Sequence, residues 1–226
     1  MPTILITGAG RGLGREYAKQ FAAEGWRVIG TVRNAAKGAS LAKLGKSVEV
    51  HLLDVADRKS IARLAADLKG TAIDVLVCNS GVYGPKDQPF GKTDYAAWEE
   101  VMRINVLAPM AVVEAFVPHV AASGRKTIVM MSSRMGSIAE NNGGAPIYRT
   151  SKTALNQVMK YLSVELAAKG ITVVSVHPGW VQTDMGGPSA PLTPQVSIAG
   201  LRGVIKRLKP ADSGKFIDHE GAQIAW

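Results

Sequence analysis

Seven short apolar runs, rich in β-branched residues, alternate along the chain with longer segments of helical period. The first, TILIT (3–7), precedes a helical pattern over 12–24, and the second, RVIGTV (27–32), precedes a weaker one over 35–44. A third run lies in VEVHLLDV and ends near Asp54. After it, DRKSIARLAADL sets Asp57 at a helix start and Ile61, Leu64, Ala65 and Leu68 on one face. The alternation continues through IDVLVCN, a long helical region over 95–122, KTIVMMS, a helix carrying APIYRTSKTALN (145–156), and ITVVSVHPG. A helix over 194–208 and a short strand over 215–217 complete it.

Strands that are apolar at nearly every position have no wet face, so they belong in a parallel sheet covered on both sides. The expected fold is α/β: one doubly wound domain, 1–226, built on a mainly parallel seven-stranded sheet with helices on both faces. At 226 residues, 46% of them hydrophobic, the chain can bury one sizeable core. No internal repeat, low-complexity tract or long Pro/Gly/Ser linker divides it. The least regular stretch, GGPSAPLTP (186–194), follows the sixth strand. Ligands of open parallel sheets bind beyond the carboxyl ends of the strands, so a substrate flap is expected near 184–200.

Composition narrows the function classes. No run approaches the roughly 18 uninterrupted apolar residues of a membrane span, and MPTILITGAG lacks the basic flank and long apolar region of a signal peptide. A cytoplasmic protein with no membrane partner is expected. The single cysteine, Cys78, has no internal disulfide partner and sits in DVLVC as a small buried filler. The net charge of +9 is scattered, without a dense basic cluster interleaved with aromatics. It fits a solvated basic surface with a few cations facing an anionic cofactor, and no nucleic-acid partner. His51, His119, His177 and His219 lack metal-ligand spacing, so no metal site is expected.

TGAGRGLG (7–14) stands at the first strand-to-helix junction. There Gly8 suits a tight turn, Gly12 lets backbone approach a bound group, and Gly14 lets helix and strand pack closely. Exposed amides and the positive helix end make a pyrophosphate site. The commoner G-x-G-x-x-G spacing is absent, because Leu13 and Arg15 fall where a third glycine would stand. The second strand ends GTVRN, with Arg33 and no carboxylate. An acidic residue at that point binds ribose hydroxyls, whereas Arg33, joined by Arg11, favours the additional phosphate of NADP(H).

Tyr148 and Lys152 stand at i and i+4, on one helix face. An ammonium beside a phenol favours the phenolate and makes the tyrosine a usable acid or base. In carbonyl reduction the phenol would protonate the oxygen while a reduced nicotinamide delivers hydride to carbon. MMSSRMGS places Ser132 and Ser133 at the end of the fifth strand, where a hydroxyl can bond a substrate oxygen. Met135, beside the serines, and Trp180 and Met185, bracketing the flap, are candidate substrate contacts.

Together these motifs resemble the short-chain dehydrogenase/reductase family over essentially the whole chain. The resemblance implies a Rossmann-type fold and a cofactor loop containing Gly8, Gly10, Arg11, Gly12 and Leu13. It makes Asp54 and Val55 an adenine-binding pair, and Asn79, Ser80 and Gly81 the counterpart of the family's N-A-G. Asn105, in RINVLAP, would anchor a water relay. Ser133 would orient substrate, Tyr148 would be the general acid/base, and Lys152 would bind the nicotinamide ribose. Pro178, Gly179, Val181 and Thr183 match positions around the nicotinamide carboxamide. Two departures stand out: Ser133 is two residues farther from Tyr148 than is usual, leaving Ser132 as an alternative, and Ser80 replaces alanine. SSRMGSIAENNGGAPIYRTSKTALN and HPGWVQTDMGGPSAP resemble the subgroup of sniffer carbonyl reductases and bacterial C-factor proteins.

The resulting expectation is an NADPH-dependent reductase of an aldehyde, ketone or quinone-like carbonyl, assembled as a homodimer or homotetramer. A dinucleotide-binding signalling or regulatory protein of C-factor type is the alternative. Nucleic-acid binding through basic charge is a third class, which would require salt-sensitive affinity.

Overall fold

A computed structural model describes residues 1–226. The strands are β1 (Thr3–Ile6), β2 (Arg27–Val32), β3 (Val48–Leu52), β4 (Val75–Cys78), β5 (Thr127–Met131), β6 (Thr172–His177) and β7 (Phe216–Asp218). They form one sheet in the order β3-β2-β1-β4-β5-β6-β7. Every pairing is parallel, so the expected mainly parallel sheet is wholly so. The helices are α1 (Gly12–Ala23), α2 (Ala35–Ala42), α3 (Arg58–Asp67), α4 (Tyr95–Met102), α5 (Ala108–Ala121), α6 (Pro146–Glu165) and α7 (Pro194–Arg207).

The strand alternation assigns each apolar side chain to one of two cores. Leu5, Leu76, Cys78, Ile128 and Met130 face a cluster with α3, α5 and α6, whereas Ile4, Ile6, Val75, Val77 and Val129 face one with α1, α2 and α7. Cys78 is a buried free thiol, as its setting in DVLVC suggests. Helix starts follow local chemistry. Asp57 accepts from Lys59 N at 2.9 Å and Asp94 from Ala97 N at 2.9 Å, while Pro146 and Pro194 occupy first-turn positions that need no amide donor.

The long helical region departs from the sequence expectation. It is interrupted between α4 and α5 by a π-helical segment, Arg103–Leu107, which places Asn105 in the core. RINVL carries no glycine or proline to announce the widened turn. The stretch Tyr95–Ala121 is long and apolar enough to cross a membrane by length and composition, yet 56% of its most apolar window is buried inside the protein. Val112, Val113, Phe116 and Val120 of α5 are part of the core.

Strand order reverses direction at β1, where β2 lies on one side and β4 on the other. Loops leaving the carboxyl ends of β1 and β4 therefore diverge to opposite faces and open a crevice between them.

Candidate active site

The floor of this crevice is the glycine loop after β1. Gly8 has φ +70° and Gly12 φ +52°, conformations costly for a residue with a β-carbon. A Cβ built at Gly14 would lie 2.4 Å from the Gly8 carbonyl oxygen and 2.6 Å from Asn79 Nδ2. At Gly12 the nearest such neighbour is the Thr183 methyl, at 3.6 Å. The loop is thus tight against the sheet at Gly14 and open at Gly12, where amides at the start of α1 can receive an anion.

Thr7 stitches this loop to the end of β4. Its Oγ1 accepts from Asn79 N at 2.9 Å and Ser80 N at 3.0 Å, while Asn79 Nδ2 donates to Thr7 O at 2.9 Å. Sequence reasoning passed over Thr7, although its position directly before Gly8 was the available signal. Ser80 Oγ would lie 2.8 Å from a Cβ at Gly8, so the hydroxyl that replaces the usual alanine packs onto the loop.

At the end of β2, Arg33 is exposed and Asn34 caps α2 by accepting from Ala36 N at 2.8 Å. Lys37, also missed from sequence, lays its stem over Gly10, with its Cβ 3.3 Å and Cδ 3.9 Å from where a glycine Cβ would stand. Arg11 does not join Arg33 here. It pairs across the crevice with Asp184 at 2.7 Å, both side chains largely exposed. Such a pair contributes about 0–1 kcal/mol, so its partner exchanges easily. Asp54 is exposed at the end of β3 and accepts from Ala56 N at 2.9 Å, and Val55 is buried beside it.

The chemical end lies one strand over. Tyr148 and Lys152 are both buried on α6, with the ammonium 5.5 Å from the phenol ring centroid. Lys152 Nζ donates to Met131 O at 2.8 Å, and burial lowers its pKa to about 8. Contrary to the expectation that the Lys152 ammonium favours the phenolate, burial pushes the Tyr148 phenol up to about 12; the Ser133 hydroxyl pulls it back, and Tyr83 adds to the rise. Tyr83 stacks on the Tyr148 ring at 4.7 Å, forming a wall of the site that sequence reasoning did not identify.

The two serines separate by direction. Ser133 meets Tyr148, whereas Ser132 Oγ turns to the Lys152 carbonyl at 3.5 Å. The additional residues between Ser133 and Tyr148 are absorbed by the 137–145 loop. Arg149 Nε donates to the Gly143 and Gly144 carbonyls at 2.9 and 3.0 Å and gathers that loop against α6. Ala145 ends it at φ 45°, ψ 53°, a left-handed conformation strained for alanine. Ala145→Gly is expected to stabilise the protein by about 0.5–1 kcal/mol, because relieved strain exceeds the added unfolded-state entropy. Urea denaturation measures the difference.

Asn105 joins the helices to the loop after β4. Its Oδ1 accepts from Val82 N at 2.9 Å, and its Nδ2 donates to Val82 O at 2.8 Å and Ser151 Oγ at 3.0 Å. Ser151 Oγ in turn donates to Tyr148 O at 2.7 Å. A Cβ at Gly81 would sit 3.2 Å from Asn105 Oδ1 and 3.5 Å from Lys152 Nζ, so these three residues meet at one corner.

Pro178 and Gly179 lead from β6 into the flap. Gly179 has φ +83°, and a Cβ there would lie 2.3 Å from Leu192. The flap is tied internally by a Val181–Leu192 bridge, by Trp180 Nε1 donating to Gly186 O at 2.7 Å, and by Thr183 Oγ1 accepting from Gly186 N at 3.1 Å. Trp180 and Met185 are about half exposed on it, and Met135 is half-buried after the serines. The structure therefore brings the glycine loop, Asn79–Gly81 and the flap to the crevice, with Asn105, Ser133, Tyr148 and Lys152 on its chemical side. No group of three or more His, Cys, Asp or Glu side chains could hold a metal.

Residues 2–191 match the family model described as short chain dehydrogenase. The chain is 42% identical to C-signal of Myxococcus xanthus over 155 residues, 68% of this chain and 93% of that protein. Its fold superimposes on carbonyl reductase Sniffer of D. melanogaster with TM-score 0.94, at 33% identity and full coverage of both chains. NADPH-bound carbonyl reductase from chicken fatty liver gives TM-score 0.92 at 30% identity, covering 100% of this chain and 99% of that one.

Proposed function

The chain belongs to the short-chain dehydrogenase family, and from that premise we propose that it is an NADPH-dependent reductase of small aldehydes, ketones or quinone-like carbonyls. The observation that carries the reading is the buried Tyr148 phenol, with the Ser133 hydroxyl beside it drawing its pKa down and Lys152 flanking it, next to the glycine-lined crevice. The structural likeness to an NADPH-bound carbonyl reductase supports it.

The crevice fits a dinucleotide in being open at Gly12, while Gly8 and Gly14, where a β-carbon would collide with Ser80 or the Gly8 carbonyl, hold the loop close against the sheet. In this reading the amides after Gly12 and the start of α1 bind pyrophosphate, Arg33 with Lys37 binds the 2′-phosphate, and Asp54 and Val55 border the adenine. Lys152, whose ammonium donates to one carbonyl in the structure, has donors left for ribose hydroxyls. When bound, the reduced nicotinamide supplies the hydride. The Ser133 hydroxyl orients the carbonyl oxygen and Tyr148 gives it a proton, yielding the alcohol. Burial keeps that proton on the phenol at neutral pH, which favours reduction.

The test is NADPH oxidation against a panel of aldehydes, ketones and quinones, with NADH as the control cofactor. Turnover with NADH alone, or with no carbonyl, defeats the proposal. Arg33→Ala is expected to raise the KM for NADPH about tenfold or more and leave that for NADH unchanged, since one charge-assisted phosphate contact is lost. A second reading, a dinucleotide-binding signalling protein, is favoured by the 42% identity to C-signal. It predicts NADPH binding without carbonyl turnover by the wild type.

A further inference from the structure

We propose that a pocket behind the serine turn is a second small-molecule site, suited to a flat anionic ligand carrying an N–H or O–H donor, such as a hydroxylated aromatic carboxylate. The pocket has a volume of about 220 Å³ and lies between the 134–136 turn, one flank of α6 and Trp226. It is separate from the crevice: neither Ser133, Tyr148 nor Lys152 lines it, and the backbone of Gly136, packed on that of Lys152, stands between.

Three features define the ligand. Asn156 lines the pocket and is 2% exposed; its Nδ2 donates to Gly136 O at 3.5 Å, while its buried Oδ1 has no donor. A buried carbonyl oxygen without a partner calls for one, and a ligand hydroxyl or amine supplies it. Lys160, exposed at the rim, takes part in no ion pair, so its ammonium is free for a carboxylate. Trp226 forms an aromatic wall, its ring held against Phe216 at 5.9 Å, and Ile138 adds an apolar edge. The space equals about seven waters, and apolar walls favour a flat ring over water.

The site would also communicate with the serine turn. The Gly136 carbonyl accepts from both Thr153 Oγ1, at 3.0 Å, and Asn156 Nδ2, so a ligand on Asn156 acts on the anchor of the turn that begins at Ser133.

Isothermal titration of the full chain with 4-hydroxybenzoate tests the proposal, with phenol and benzoate as ligands lacking the charge or the donor. The expected result is one site that prefers 4-hydroxybenzoate, weakened about tenfold by Lys160→Ala and by Trp226→Ala. Both residues are at the surface, and thermal melts verify that each variant is folded. Equal affinity in wild type and both variants would mean the acid sits elsewhere, including the crevice, and overturns the proposal. So does an absence of binding at millimolar concentration, which leaves a pocket holding water only. Neither variant touches the cofactor crevice, so the outcome is independent of the reductase reading.

Discussion

Tyr148→Phe is expected to lower NADPH-dependent carbonyl reduction by about 10²- to 10⁴-fold, the range contributed by a positioned general acid. The change removes one oxygen and keeps the ring stacked on Tyr83, so the wall of the site survives. Nucleotide affinity, read by NADPH fluorescence, should stay near the wild-type value, because the cradle lies in the glycine loop. Retained turnover in Tyr148→Phe would remove the phenol from the mechanism. The pH profile adds a second check. Lys152 is charged below a pKa of about 8 and loses its proton as pH rises through that value, whereas the phenol, at about 12, stays protonated well beyond it. The kcat/KM for reduction should therefore fall on the alkaline side, through about pH 8, as the ammonium is lost.

Gly14→Ala is expected to abolish high-affinity nucleotide binding and to cost about 1–3 kcal/mol of stability, as overpacking does. The added methyl would meet a backbone carbonyl 2.4 Å away, which cannot swing aside, and the Asn79 side-chain amide 2.6 Å away, which is held by its bonds to the Thr7 and Gly8 carbonyls. Moving the Gly8 carbonyl would disturb the turn that aims the loop amides and strain the Thr7–Asn79 stitching. Gly124→Ala is the control, since a Cβ there meets nothing within 4 Å. Equal urea midpoints and equal NADPH affinity in the two variants would contradict the packing argument.

Much of this arrangement is written locally. Runs such as TILI and VLVC are almost wholly apolar, and buried at every position, because both sheet faces are covered, and the glycines of TGAGRGLG announce a turn and a close approach. Tyr148 and Lys152 share a helix face by spacing alone. What local pattern could not supply depends on packing between distant segments. The choice between adjacent Ser132 and Ser133 rests on which hydroxyl meets the Tyr148 phenol and which turns to the Lys152 carbonyl, both on α6. Lys37 matters because its stem crosses Gly10, and Arg11 finds Asp184, 173 residues away, which nothing in either neighbourhood foretells. Asn105 was found by motif, but the widened turn that seats it was not, since RINVL reads as ordinary helix.

That π segment also sets a rule for how the chain tolerates changes in length. A π turn carries a residue more than the α-helical ladder needs. Deleting one position within 103–107 would let the ladder close as ordinary α-helix, and because the extra residue is absorbed within that one widened turn, α4 and α5 would keep the faces they present. What would be lost is the turn that seats Asn105, and with it the bonds of its amide to Val82 and Ser151. A single-residue deletion there is thus local in shape yet reaches the site, whereas the same deletion in the 141–144 loop only shortens a surface bend.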